Sequence, residues 1–190
     1  DDFLGRLELQ FGRPDDQSSI AAKMTDLKQA FQALATTPED VSTQISVITA
    51  AQELAREFND LNDQIQNLRA DADARISDQV AEVNTAMANI DSLNTEIGQR
   101  KALGQSTADL RDQRDQLLVQ VNEKMSITSF ERPNGEITVL APGGNLMLDD
   151  TRLPISFVAT NTFVAGNTVQ PIQISTGSTT VSISADVSAG

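Results

Sequence analysis

The densest group of side chains able to do chemistry is the run DLRDQRDQ, residues 109–116. Asp109, Asp112 and Asp115 could together hold a cation, and Arg111 and Arg114 an anion. The simpler reading is a solvated helix face. Acids and bases three and four residues apart pair along a helix surface for about 0.2–0.5 kcal/mol each. Asp71 and Asp73 open like a calcium loop, but the central glycine and the later acid that such a loop requires are missing. Gly143-Gly144 has no Lys-Ser or Lys-Thr after it and no strand-to-helix transition around it, so it reads as a turn and not a phosphate cradle. Asp149-Asp150 reads as a polar turn. No serine stands in a G-x-S-x-G context, and a Ser–Lys pair would have to draw on few lysines.

The 190-residue chain has no histidine and no cysteine. It therefore lacks the usual proton-transfer group near neutral pH, the thiolate nucleophile and the commonest metal ligands. The expected catalytic, cofactor-binding and metal-ligand sets are empty, and the chain is not expected to be an enzyme. With 14 basic and 27 acidic residues the net charge is -13, which repels phosphate backbones; no nucleic-acid partner is expected. No apolar run approaches the roughly 20 residues that span a bilayer, and the acidic helix faces oppose binding to anionic lipid. The first residues, DDFLGRLELQFGRPDD, lack the basic start and apolar stretch of a secretory signal. Aromatic residues make up 4%, so a core must be built from Leu, Ile, Val, Ala and Met.

Charge is distributed unevenly along the chain. Residues 151–190 carry only Arg152 and Asp186, and alternate Thr, Ser, Val and Ile instead. Before that change the pattern is helical. Ile20, Met24, Leu27, Phe31 and Leu34 recur at steps of four and three, with Ser18 or Ser19 available as a cap and Pro38 beyond the end. Between Pro38 and Gly98 there is no glycine or proline, and an apolar three–four rhythm persists from Val41 to Ile97. It loosens to steps of four around Ala72 and Ile76, a local unwinding of the repeat. One continuous helix is expected there, with a break near Asp71–Ala74 as the alternative. Ser106 or Thr107 caps a third helix carrying Leu110, Leu117, Leu118 and Val121.

The remainder reads as strands. Arg132-Pro133-Asn134-Gly135 marks a hairpin, and LML, LPISFVAT, TFVA, TVQPIQIST and TTVSISADV lie between further turn signals at Gly143-Gly144, Gly166-Asn167 and Gly177-Ser178. The expected fold class is α+β: an elongated bundle of long helices (about 18–36, 39–98 and 107–124) over residues 1–125, then a small antiparallel β domain over 126–190. Exposed Phe157 and Phe163 would be needed if the β region were an adhesive surface.

Several segments, in order, resemble one family, the flagellar hook-associated protein 1 or hook–filament junction family. They are LELQFGRP (7–14), FQALATTPED (31–40), VITAAQELAREFNDLNDQIQNLR (47–69), VAEVNTAMANIDSLNTEI (80–97), ADLRDQRDQLL (108–118) and FERPNGEITVLAPGGNLML (130–148). Ala108, Arg111 and Gln44 depart from the family pattern, and residues 151–190 carry none of it. The resemblance implies an extracellular structural component of the flagellum, exported through the flagellar type III apparatus, without cofactor. It implies partners in neighbouring copies of itself, hook protein and the second junction protein, and an export chaperone bound through regions not in this chain. It further implies a central piece lacking the helical ends that polymerise, monomeric by itself. The other flagellar axial proteins, flagellin and the second junction protein, share this plan and are the nearest alternative.

Overall fold

A computed structural model describes Gly5 and residues 19–160, 170–176 and 179–183. The LELQFGRP segment, the TFVA strand with Phe163, and the turns at Gly166-Asn167 and Gly177-Ser178 lie outside the described residues. Among the described residues, the helices bounded at both ends are α1 (Ile20–Thr36), α2 (Val41–Ala102) and α3 (Ala108–Lys124). Six short strands follow among the described residues: β1 (Thr128–Glu131), β2 (Ile137–Leu140), β3 (Leu146–Leu148), β4 (Ile155–Ser156), β5 (Gln173–Ser175) and β6 (Thr180–Ser182). They form two antiparallel sheets, ordered β1-β2-β3 and β4-β5-β6. The fold is α+β, as the change in charge and periodicity predicts.

The helix ends follow from local chemistry. The Ser19 side chain accepts a bond from the Ala22 amide at 3.2 Å, capping α1. Asp40 does the same for α2 through the Ser42 amide at 2.8 Å. Helix α2 is unbroken over 62 residues, so the Asp71–Ala74 alternative falls away. It also runs on through Gly98, where the glycine by itself suggests an end. It stops only at Gly104, whose φ of 69° supplies the left-handed residue of a helix-terminating motif. There the Gly104 amide bonds the Lys101 carbonyl at 3.0 Å and the Gln105 amide bonds the Arg100 carbonyl at 2.9 Å. Thr107 precedes α3 without making a side-chain cap bond.

The chain divides into two compact units, residues 1–71 and 72–190, with α2 contributing to both. In the first unit, Lys23 of α1 donates to Glu53 of α2 at 3.0 Å. No residue of α1 is buried.

In the second unit one continuous core joins α2 (Val83, Met87, Ile90), α3 (Val121) and both sheets (Ile137, Val139, Leu148, Ile155, Ile174). Each such aliphatic side chain contributes about 1.5–3 kcal/mol on burial. Strand β2 is buried on both faces, and its one polar inward group, the Thr138 hydroxyl, donates to Asp149 at 2.7 Å. Strand β1 is exposed along its whole length. The Gly143-Gly144 stretch is a tight 3-10 turn with both φ angles positive, 76° and 80°, joining β2 to β3.

Two glycines bring the β1–β2 turn against the end of α2. A Cβ on Gly98 would lie 2.6 Å from Glu136 Oε1, the tip of a flexible side chain. A Cβ on Gly135, at φ 92°, would press Ile97 Cγ2 at 3.2 Å and force a left-handed backbone on alanine. Opposite outcomes are expected in urea denaturation. Gly98→Ala stabilises by about 0.5–1 kcal/mol through helix propensity, because only a mobile carboxylate must swing aside. Gly135→Ala destabilises by about 1–3 kcal/mol.

Candidate functional site

In the second unit α2 holds each sheet through an asparagine. The carboxamide of Asn carries one acceptor and one donor face, the same pair that a peptide group presents. Asn94 Nδ2 donates to the Ile137 carbonyl at 2.8 Å, while its Oδ1 accepts from the Ile137 amide at 3.1 Å. Ten residues earlier Asn84 repeats the pattern on Ile155: Nδ2 donates to its carbonyl at 2.7 Å and Oδ1 accepts from its amide at 3.1 Å. Each helix side chain thus takes both backbone groups of one strand residue, as a neighbouring strand would. The spacing corresponds to about 15 Å along the helix axis.

Arg114 joins the first of these clamps. Its side chain is among the most deeply buried polar groups described, with the residue 2% exposed. Nη1 donates to Asn94 Oδ1 at 3.1 Å and to the Gly135 carbonyl at 2.8 Å. Its nearest acid is Glu131, at 3.9 Å, which also accepts from Arg111 at 2.8 Å. Loss of solvent pushes the Arg114 guanidinium below its usual range; Asp115 and Glu131 oppose that shift and Arg111 adds to it. The Nε atoms of both arginines are buried without a hydrogen-bond partner.

The DLRDQRDQ run is therefore not only a solvated face of self-pairing charges. Arg111 reaches Glu131 of β1, Asp109 receives Arg100 of α2 at 3.3 Å, and Arg114 points into the core. Asp112 and Asp115 are exposed. Among the described residues no group of three or more His, Cys, Asp or Glu could hold a metal ion. Asp73 is buried and accepts the Thr160 amide, so this carboxylate positions the chain after β4. Asp149 and Asp150 both receive Arg132, each at 2.8 Å, tying the hairpin to the end of β3. Phe157 is half-buried and packs against the core, whereas Phe130 of β1 is exposed.

Sequence reasoning assigned no role to Asn84 or Asn94, although both stand in the VAEVNTAMANIDSLNTEI segment that carries the resemblance. The available signal was an amide beside the apolar stripe, at Val83-Asn84 and Leu93-Asn94, in helix interior positions that asparagine disfavours.

The first unit offers a different feature. Met24 and Phe31 of α1 are 57% and 53% exposed, and Ile45, Ile48 and Phe58 of α2 are exposed to a similar degree. These side chains belong to the apolar rhythm that defines both helices. The seam that the sequence predicts exists, but much of it faces solvent, and this is the kind of apolar surface that marks a contact site. Among the described residues no helix is long and apolar enough to cross a membrane.

The buried and half-buried arginines of α3 should separate by denaturation. Arg114→Ala is expected to cost about 2–4 kcal/mol, since it removes packing and leaves the Gly135 carbonyl unpaired in the core. Arg111→Ala, which loses a partly solvated pair, should cost below about 1 kcal/mol. Equal losses would contradict the junction as described.

Comparison with known proteins places these features in a family. The family model described as the flagellar hook-associated protein FlgK helical domain matches residues 4–190. Flagellar hook-associated protein 1 of Bacillus subtilis is 25% identical over 141 residues, 74% of this chain and 28% of the relative. The protein of the same description from Salmonella typhimurium is 23% identical over 166 residues, 86% of this chain and 30% of the relative. The solved structure of the flagellar hook junction protein FlgK from Burkholderia pseudomallei shares the fold, with a TM-score of 0.78 at 21% identity, over 91% of this chain and 30% of that one. The chain thus spans under a third of the length of these relatives. Since the helical-domain model matches nearly the whole of these 190 residues, the chain belongs to the FlgK flagellar hook-associated protein family.

Proposed function

We propose that this chain is part of a structural, non-enzymatic subunit of the bacterial flagellum that lies outside the cell and joins hook to filament. The observation that carries the reading is the family match over residues 4–190. The exposed seam of the first unit supports the finer part of it. Residues 1–125 are assigned to packing along the flagellar axis, and 126–190 to a β region turned outward. In this reading the seam of Met24, Phe31, Ile45, Ile48 and Phe58 is covered in the assembled junction. The partners are neighbouring copies, hook protein and the second junction protein.

The β region suits a scaffold role, because Asn84 and Asn94 fix its sheets to a helix. The groove between α2 and α3 is edged by amides (Asn89, Gln113, Gln116, Gln120) over Leu93 and Leu117. Toward Val121 the groove is also lined by Glu82, Glu123 and Lys124, and Lys124 pairs with Glu82 at 2.9 Å.

Removing the gene in its own bacterium should leave hooks without filaments in negative-stain micrographs, with filament protein shed into the medium; normal filaments would refute the assignment. A narrower test is Ile45→Glu with Phe58→Glu in the full-length gene. Both positions are exposed, so stability should change by less than about 0.5 kcal/mol per site. Swimming and filament attachment should nevertheless be lost, and unchanged motility would remove the seam from the contact surface.

A further inference from the structure

We propose that the Asn94–Arg114 junction is a latch that makes α2–α3 pairing and closure of the first sheet one cooperative step, while the Asn84 clamp seats the second sheet as a separate step. The basis is a closed triangle of bonds. Asn94 Oδ1 accepts from Arg114 of α3 and from the Ile137 amide of β2. The same Arg114 Nη1 that reaches Asn94 also holds the Gly135 carbonyl of the β1–β2 turn. Each corner is thus bonded to the other two.

No corner can open alone at low cost. If the hairpin lifts, Arg114 loses the Gly135 carbonyl and Asn94 loses the Ile137 backbone, breaking bonds made in a site that is buried when closed. If α3 separates, the Gly135 carbonyl loses its donor and Asn94 keeps only Ile137. Strand β1 buries no side chain, so the hairpin is held through β2, whose Ile137 and Val139 enter the core beside the junction. The Asn84 clamp has a different connectivity, joining only α2 and β4. Nothing in its bonds requires α3.

Native-state hydrogen exchange on the whole 190-residue chain, read by NMR in rising low urea, tests this directly. In the unmodified protein, amides of α3 such as Val121 and of β2 such as Val139 should converge on one opening isotherm. Amides of the second sheet, such as Ile183, which bonds the Ile172 carbonyl, should follow another. Arg114→Met and Asn94→Leu should each lower protection in α3 and β2 together by about tenfold or more, with the second sheet shifting less than about threefold. Asn84→Leu should show the reverse pattern. Separate isotherms for α3 and β2 in the unmodified chain, or a uniform fall across both sheets in the Arg114 variant, would overturn the latch. Because the isotherms are read first on the unmodified protein, a variant that fails to fold does not remove the test.

Discussion

Every short strand packed on α2 faces the same constraint: a backbone N–H and C=O taken from water must find a partner or cost free energy comparable to a lost hydrogen bond. Strands of two to four residues cannot meet that demand among themselves at every edge. Helix α2 meets it from outside the sheets, with Asn94 on Ile137 and Asn84 on Ile155. The aliphatic core around Met87, Ile90 and Val139 then forms between surfaces whose separation those clamps set. Hydrophobic burial supplies most of the stabilisation, but it is non-directional. The amide pairs choose which strand residue sits over which turn of the helix.

Arg114 extends the same logic to α3. A buried guanidinium is weak evidence for stability, because its desolvation offsets much of what its bonds return. Its value lies in direction: a planar fork reaches a side-chain oxygen on one element and a backbone carbonyl on another. Gly135 completes the arrangement, since its positive φ and missing Cβ let the hairpin tip approach Ile97 and Lys101. The first unit is organised differently. There α1 buries no residue and the apolar rhythm remains half open to solvent.

Much of this was legible in the sequence because periodicity is a local signal. The three–four rhythm, the absence of Gly and Pro between Pro38 and Gly98, and the Asn-Gly turn between β1 and β2 each fix an element from its own residues. Helix α2 passes Gly98 because a single interior glycine costs less than the helix gains by reaching the terminating turn at Gly104. Long-range pairing left no such trace. Arg114 keeps the family pattern from which Arg111 departs and falls between Leu110 and Leu117 on the apolar stripe, but the groups that bury it, Asn94 and Gly135, come from elsewhere in the chain. The open seam was equally unreadable, since a stripe of Met, Ile and Phe looks the same whether it is covered or waiting to be covered. The family resemblance named the segment containing both clamp asparagines, but a motif carries no geometry.

The most direct check on the central claim is the exchange and coupling of side-chain carboxamide protons in the labelled protein. The account predicts that the Nδ2 protons of Asn84 and Asn94 exchange slowly and show through-hydrogen-bond couplings to the carbonyls of Ile155 and Ile137. Exchange as rapid as that of Asn62, an exposed residue whose amide meets only the neighbouring Asp63 carboxylate and the Gln66 side chain, would show that the sheets are not held to α2 in this way.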